Sequence, residues 1–138
     1  MKAPAAGVFS WPVRVYWEDT DAGGIVFYAN YLKFFERART EWLRALGVQQ
    51  RALRESAGGM FVVGETAVRY LAPARLDDEL LVTARLEAAG RASLIIAQDA
   101  RRGDAVLCEG TIRIGWVDAA TLRPGRIPAA ILEALQNR

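Results

Sequence analysis

The residues best suited to chemistry lie in one acidic stretch, residues 18–24, which reads EDTDAGG. Three of its first four residues are carboxylates, and carboxylates serve as nucleophiles and general bases. A segment with helical spacing follows, and the start of a helix offers unpaired backbone N–H groups that attract negative charge. An acid or base beside such an oxyanion site is the minimum that acyl transfer requires. The stretch is therefore a candidate site for acyl transfer.

Asp21 has two interpretations that the residues alone leave open. Loop carboxylates often cap a turn or a helix, which is a structural role. The chemical role needs a carboxylate within reach of an acyl carbon whose oxygen is bound by backbone N–H groups. Gly23 and Gly24 favour the chemical role, because glycine lets the backbone approach a ligand closely.

The other carboxylates of the stretch, Glu18 and Asp19, are weaker candidates. We expect them to be solvated or to pair with Arg14 or Arg37. Neither is predicted to be buried.

The composition excludes several kinds of site. The chain has no histidine, which removes Ser-His-Asp and Cys-His nucleophiles and imidazole-ligated zinc. The single cysteine, Cys108, allows no disulfide framework and no thiolate metal cluster. It lies in an alternating strand pattern, where a small buried side chain is expected. Any catalysis must use carboxylates, hydroxyls, backbone dipoles or a cofactor.

The bulk composition is typical of one soluble globular domain over residues 1–138, with a loose N-terminus over residues 1–10. The formal net charge of +2 is too small and too dispersed for nucleic-acid binding. No apolar run approaches the ~20 residues that span a bilayer, and the first residues lack the apolar core of a secretory signal. We expect a cytoplasmic protein with no transmembrane segment and no nucleic-acid partner.

The elements on either side of the acidic stretch are a strand and a long helix. Alternation predicts a strand from Trp11 to Trp17. Asn30 is a fair N-cap for a helix that runs to about Leu46, where Gly47 ends it. Apolar residues recur along this helix with its own period: Leu32, Phe35, Ala38, Trp42 and Leu46. Such a stripe must be buried against a large surface.

The rest of the chain reads mainly as strands. A short helix is predicted over Gln49 to Ser56, and strands follow over residues 60–118. Arg102-Gly103-Asp104 is a hairpin signal, and Pro128 predicts a short terminal helix. The order predicts an α+β protein, in which the long helix packs on one face of a largely antiparallel sheet. Such a sheet leaves an open edge and an uncovered face that a partner subunit could cover.

Two segments, EDTDAGGIVFYANYLKFFERARTEWLR and YLAPARLDDEL, resemble the hotdog-fold acyl-CoA thioesterases. The similarity is greatest to the 4-hydroxybenzoyl-CoA thioesterase branch and its Tol-Pal-associated bacterial members, and it runs from about Pro12 to Pro128. It implies a hotdog fold, in which a curved antiparallel sheet of about five strands wraps around one long central helix. It also implies a homodimer or homotetramer with active sites at the subunit interface.

By motif position the resemblance also implies the catalytic residues. The loop carboxylate that acts as nucleophile or general base on the thioester corresponds to Asp21. The backbone N–H that polarises the thioester carbonyl corresponds to Tyr28, where many relatives carry His and the 4-hydroxybenzoyl-CoA enzymes carry Tyr. If the site uses only the backbone N–H, this exchange has no effect. If some members need His as a base, the exchange matters.

Substrate-binding residues follow from the resemblance as well. Arg91, in the turn before the fourth strand, matches a region that relatives use for CoA phosphates, and Ser93 lies nearby. Arg69 and Arg75 are weaker candidates for the same role. The predicted substrate-binding set is Gly23, Gly24, Asn30, Arg91 and Ser93. Because CoA is part of the substrate, we expect no separate cofactor and no metal.

The function implied is hydrolysis of an acyl-CoA to a free acid and CoA. An acyl-carrier-protein thioesterase is an alternative, because both thioesters share the phosphopantetheine arm. A non-catalytic acyl-CoA-binding protein of the same fold is another. A dehydratase or hydratase of this fold is disfavoured, because those relatives use histidine. The acyl group stays open, and four aromatic residues could shape its pocket or simply form core: Phe27, Tyr31, Phe34 and Trp42.

Overall fold

The computed structural model describes residues 7–136, which form one antiparallel sheet and three α-helices. The strands are β1 (Phe9–Arg14), β2 (Gly59–Tyr70), β3 (Glu79–Ala89), β4 (Ser93–Arg102) and β5 (Ala105–Asp118). The helices are α1 (Asn30–Ala45), α2 (Gln50–Ala57) and α3 (Ala129–Gln136), and a 3-10 helix covers Trp17–Asp19. The predicted α+β order is confirmed, including both short helices. No helix in the described part of the chain is long and apolar enough to cross a membrane.

The strands lie in the order β1-β3-β4-β5-β2, and every neighbouring pair is antiparallel. Arg102 pairs with Ala105 across the β4–β5 connection, which confirms the predicted hairpin. Strand β2 lies at one edge of the sheet, and within the described residues it pairs only with β5. Its other edge has no neighbouring strand among residues 7–136.

Strand β1 begins earlier than the alternation predicted. Phe9 lies opposite Ala84 and Arg14 opposite Glu79, so residues 9 and 10 belong to the sheet and not to a loose terminus. Residues 1–6 lie outside the described part of the chain. The strand also ends earlier than predicted, because the chain turns into the 3-10 helix at Trp17. A helix of three residues is too short to produce a periodic signal.

Helix α1 packs on one face of the sheet and supplies the centre of the core. Its buried residues are Tyr31, Phe34, Phe35, Ala38, Trp42 and Leu43. The prediction is confirmed for Phe35, Ala38 and Trp42 but wrong for Leu32, which is 41% exposed. The aromatic rings at positions 31 and 34 offer more apolar area than one leucine, so the helix turns that face to the sheet.

A buried glutamine ties α1 to the sheet. Gln98 on β4 is 3% exposed, and its Nε2 donates to the carbonyl oxygens of Phe35 at 3.0 Å and Thr83 at 3.1 Å. Its Oε1 accepts a hydrogen bond from Arg39 Nη1 at 3.0 Å. A buried amide is tolerated because its donors and acceptor have partners. The sequence contains no signal for this contact, since a glutamine in a strand usually faces solvent.

Candidate active site

The acidic stretch forms a small hairpin in the connection between β1 and α1. Thr20 pairs with Val26 in an isolated antiparallel bridge, and Ile25 pairs with Arg75 in the segment that follows β2. The Val26 N–H donates to the Ala74 carbonyl oxygen at 2.9 Å. The hairpin is therefore held by backbone bonds to the segment YLAPARLDDEL. The two segments that carry the family resemblance lie against each other in the fold.

The backbone of Asp21 is fixed on both sides while its side chain is exposed. Its N–H donates to the Ile25 carbonyl oxygen at 2.9 Å, and its carbonyl oxygen accepts the Gly24 N–H at 3.1 Å. The carboxylate Oδ1 accepts the Gly23 N–H at 2.8 Å. Among the described residues, no hydrogen bond or ion pair is made to Oδ2. One carboxylate oxygen therefore caps the turn, and the other points to no protein donor.

The backbone of the hairpin requires Gly24, and Gly23 leaves room for the Asp21 side chain. Gly24 has a φ of +78°, a conformation that costs other residues strain. A Cβ at Gly23 would lie 3.2 Å from Asp21 Oδ1, which would push against the turn-capping carboxylate. The pair thus shapes the loop that holds Asp21.

Asp19 has a structural role, so the prediction that it is solvated or ion-paired is wrong. It is 5% exposed, and its Oδ2 accepts the Tyr16 N–H at 2.8 Å. The predicted partner Arg14 instead pairs with Glu79 at 2.8 Å, because β1 and β3 place these residues opposite each other. Glu18 is exposed, as predicted.

Asn30 begins α1, but the prediction that it is the N-cap is wrong. The cap position is Ala29, and no side chain caps the helix there. The Asn30 side chain instead donates from Nδ2 to the Asp19 carbonyl oxygen at 2.8 Å. The same carbonyl accepts the Phe27 N–H at 3.0 Å. Asn30 therefore orders the loop between the acidic hairpin and the helix.

Tyr28 lies in the turn that leads into α1. No acceptor is assigned to its N–H among residues 7–136, while its carbonyl oxygen accepts the Tyr70 hydroxyl at 3.0 Å. Its side chain is 63% exposed. The structure thus brings an exposed carboxylate and an unpaired backbone N–H onto one short loop.

A cavity of about 300 Å³ opens beside this turn. Its lining is mostly apolar and aromatic: Ile25, Val26, Tyr28, Tyr31, Tyr70, Leu71, Ala72 and Pro73. Asp21 is not part of this lining within the single chain. Of the aromatic residues considered for an acyl pocket, Tyr31 lines the cavity, whereas Phe34 and Trp42 are buried core. Phe27 is exposed and its ring lies 4.7 Å from that of Tyr28.

Arg91 and Ser93 lie in a different place, at the turn between β3 and β4. Arg91 is exposed, and its carbonyl oxygen accepts the Ile127 N–H at 2.8 Å. This bond brings Arg126, the residue before Ile127, close to Arg91. Neither arginine has a carboxylate within 4.0 Å in the described part of the chain. Sequence reasoning missed Arg126, since no pattern links it to a turn so distant in the chain.

Another cavity, of about 370 Å³, lies along the middle of the sheet and is lined by charged residues. Its arginines are already paired: Arg101 with Asp99 at 2.9 Å, Arg69 with Glu109 at 3.6 Å and Arg85 with Glu87 at 4.0 Å. These pairs leave less free positive charge for a phosphate than the turn at Arg91. Arg69 is therefore a poor candidate for CoA binding.

Arg75 is exposed and lies opposite Ile25 beside the acidic hairpin.

The comparisons with known proteins agree with this fold. The sequence model of the thioesterase-like superfamily matches residues 15–135. The chain is 41% identical over 129 residues to the acyl-CoA thioesterase YbgC of Haemophilus influenzae, covering 94% of this chain and 95% of that protein. It is 41% identical over 126 residues to the acyl-CoA thioester hydrolase YbgC of Escherichia coli, covering 91% of this chain and 93% of that protein. A probable thioesterase from Bartonella henselae superposes with a TM-score of 0.84 at 31% identity, covering 88% and 99% of the two chains.

The chain folds into a sheet with one long helix on its face, and thioesterases match it over nearly its whole length. These two findings define its class of protein. The chain belongs to the thioesterase-like superfamily and has the hotdog fold. It is a thioester hydrolase. The resemblance found in the sequence is confirmed.

Proposed function

We propose that this protein hydrolyses acyl-CoA thioesters to a carboxylic acid and free CoA. The observation that carries the proposal is the loop that holds an exposed carboxylate, Asp21, and an unpaired N–H, Tyr28, at the start of a helix. The curated relatives with 41% identity, which are acyl-CoA thioesterases by name, support the CoA ester as the substrate class.

In the proposed mechanism the thioester carbonyl oxygen faces the Tyr28 N–H. Negative charge develops on that oxygen when the carbonyl carbon is attacked, and the N–H donor and the helix N-terminus stabilise it. Removing one oxyanion donor typically costs on the order of 3 kcal/mol of transition-state stabilisation. The backbone supplies this donor, so the absence of histidine does not impair it.

Asp21 completes the reaction by one of two routes. In the first, its carboxylate attacks the acyl carbon, the CoA thiolate leaves, and water hydrolyses the mixed anhydride. In the second, it accepts a proton from a water molecule that attacks the acyl carbon directly, and the CoA thiolate leaves. Single turnover in heavy-oxygen water tests the first route: label in the Asp21 side chain supports direct attack, because only an anhydride opened at the Asp21 carbonyl places it there.

The turn at Arg91 is proposed to bind the phosphates of CoA. Two arginines that have no carboxylate partner among the described residues, Arg91 and Arg126, are brought near each other by the bond from the Ile127 N–H to the Arg91 carbonyl oxygen, and Ser93 follows Arg91 by two positions. Guanidinium groups suit this role because they bind phosphate through paired hydrogen bonds. Arg91→Ala is expected to raise KM for an acyl-CoA but not for the matching acyl-pantetheine, with Arg51→Ala as control. Equal loss for both substrates contradicts the assignment.

A homodimer or homotetramer, with sites at the subunit interface, is part of the proposal. Within one chain Asp21 does not line the cavity beside Tyr28, and no hydrogen bond of the described residues joins the Arg91 turn to the acidic hairpin. The free edge of β2 carries exposed valines, Val62 and Val63. A second copy placed against this edge would cover them and could complete the site. Gly23, Gly24 and Asn30 are proposed to shape the substrate-facing loop.

The proposal is tested by following thiol release with a chromogenic disulfide across short, medium, long and aromatic acyl-CoAs. Turnover of at least one group is expected, and the preferred group identifies the acyl specificity. If no CoA ester is cleaved, the acyl-CoA proposal fails. Activity on the corresponding acyl-carrier-protein esters would then show that the protein is an acyl-carrier-protein thioesterase that uses the same catalytic residues.

A further inference from the structure

Tyr70 makes a contact whose position bears on the proposed oxyanion donor. It is the last residue of β2, and its hydroxyl donates to the Tyr28 carbonyl oxygen at 3.0 Å. Its ring lies 6.1 Å from that of Tyr28 in an edge-on arrangement, and 5.7 Å from that of Tyr31. Two residues that are 42 positions apart in sequence therefore meet beside the cavity.

The Tyr70 bond completes a set of contacts around Tyr28. The peptide that carries the Tyr28 N–H has its carbonyl at Phe27, and this oxygen accepts the Asn30 N–H at 2.8 Å. The Phe27 N–H is held by the Asp19 carbonyl oxygen at 3.0 Å. The next peptide, between Tyr28 and Ala29, is held by the Tyr70 hydroxyl. Both peptide planes that flank the Tyr28 Cα are thus fixed, while the Tyr28 N–H itself has no acceptor in the described part of the chain.

We infer that Tyr70 is a positioning residue: its hydroxyl holds the Tyr28–Ala29 peptide and, together with the Asn30 N–H on the Phe27 carbonyl oxygen, keeps the turn in the conformation that points the Tyr28 N–H toward the thioester oxygen. The inference rests on the proposed function. Electrostatic stabilisation works best when the donor is oriented before the reaction, so that no reorganisation is needed as charge develops. A turn that precedes a helix has few bonds of its own. The bond from a neighbouring strand stops it from rotating.

The Tyr70 hydroxyl is suited to a permanent donor role. Partial burial raises the pKa of Tyr70 above its ordinary value of 10.0, and the neighbouring Cys108 and Tyr28 add to this effect. The hydroxyl therefore keeps its proton at any pH at which the enzyme would be assayed. Tyr70 does not touch the reacting atoms in this account and acts only through Tyr28.

Two substitutions distinguish the role of the Tyr70 hydroxyl from that of the Tyr70 ring. Tyr70→Phe keeps the ring contacts with Tyr28 and Tyr31 and removes the donor, whereas Tyr70→Leu removes both. For Tyr70→Phe we expect kcat to fall about ten- to a hundredfold, with KM and melting temperature nearly unchanged. Tyr16→Phe, at an exposed tyrosine, is the control and should keep full activity. Full activity in Tyr70→Phe, with loss only in Tyr70→Leu, means that the ring merely packs and overturns the inference.

A spectroscopic measurement tests the same point without turnover. With an aromatic acyl-CoA bound to the Asp21→Asn protein, the thioester carbonyl stretch should shift to lower frequency, because a hydrogen bond polarises it. Adding Tyr70→Phe should reduce this shift and also move the carbon-13 resonance of the labelled Tyr28 carbonyl. An unchanged stretch overturns the inference. An inactive native protein would contradict the proposed function, whereas an active one with unaffected Tyr70→Phe contradicts the Tyr70 inference alone.

Discussion

Asp19 and Asp21 are two residues apart and have opposite surroundings. The Asp19 carboxylate is buried and accepts a hydrogen bond from the Tyr16 N–H. The Asp21 carboxylate is exposed, and one of its oxygens accepts a hydrogen bond from the Gly23 N–H. A buried acceptor that satisfies a backbone donor stabilises the loop, and an exposed one remains available for chemistry. The same residue type therefore supports the fold at one position and, in our proposal, the reaction at the other.

At the residue scale, Cys108 is expected to be unreactive in the folded protein. The side chain is fully buried, and this burial, with smaller contributions from Glu109 and Asp99, raises the pKa of Cys108 from 9.0 to about 12. Because the thiolate is the reactive form, a disulfide reagent at pH 8 should find no accessible thiol in the native protein and one per chain in denaturant. Rapid labelling of the native protein would contradict this. The protein thiol would then also interfere with a thiol-release assay.

The shifted pKa of Cys108 has a defined effect on stability. Its folded pKa lies above its unfolded value, so the unfolded chain loses this proton first as the pH rises. The contribution of the neutral thiol to stability is complete below pH 9 and is lost as the pH rises from 9 towards 12. Cys108→Ala or Cys108→Ser should remove this dependence from alkaline unfolding curves.

At the residue scale, the sequence predicts a role well when the residue acts on its neighbours in the chain, and poorly when it acts on a residue far away. Asp21 and its glycines form one contiguous motif, and the structure places them in one tight turn. The cap assigned to Asn30 was wrong because its side chain reaches back eleven residues to Asp19. Tyr70 and Arg126 were missed, since each acts on a residue far away in sequence, and a single sequence shows no such pairing.

At the scale of elements, the start of β2 depends on close packing between Gly59 and Trp116. A Cβ at position 59 would lie 2.3 Å from the Trp116 ring, and Gly59 pairs with Asp118 across the two strands. Gly59→Ala should therefore lower the free energy of unfolding by about 1–3 kcal/mol, because neither the ring nor the strand can move away cheaply. Chemical denaturation measures this directly.

Gly64→Ala is the matched control on the same strand. Its nearest contact for a new Cβ is the Arg113 carbonyl oxygen at 3.9 Å, an ordinary distance. The free energy of unfolding should change by no more than about 0.5 kcal/mol. Equal destabilisation by both substitutions would show that loss of glycine in β2, and not the Trp116 contact, is responsible.

The sequence predicts elements better than their packing. The helix over Asn30–Ala45 and the hairpin at Gly103 follow from periodicity and turn residues, which are local properties. The buried face of α1 differs from the predicted stripe at Leu32, because the sheet selects the face with the larger rings. Gln98 docks the helix through bonds that no periodic pattern contains.

At the scale of the whole molecule, the free edge of β2 predicts association. Strand β2 has twelve residues and carries Val63, which is 53% exposed. An unpaired edge with exposed apolar side chains is a template for a second chain. We expect the native protein to be at least a dimer by light scattering, and Val63→Asp to shift it towards the monomer and lower its activity.

Arg51→Asp on α2 is the control for this test. Its side chain is 95% exposed and belongs to a helix, not to the strand edge, so assembly and activity should be unchanged. Circular dichroism would verify that Val63→Asp keeps its fold. A native monomer with full thioesterase activity would contradict the interface proposal. It would show that one chain contains the complete active site.

The most direct test of the account compares kcat/KM of the native protein, Asp21→Asn and Glu18→Gln on the best acyl-CoA. Asparagine retains an oxygen that can accept the Gly23 N–H, so the turn is preserved while the carboxylate charge is lost. We predict that Asp21→Asn loses at least about a hundredfold, a typical cost of removing a catalytic acid or base, and that Glu18→Gln stays near the native value. If Asp21→Asn hydrolyses the thioester at the native rate, Asp21 is not the catalytic carboxylate and the central claim is wrong.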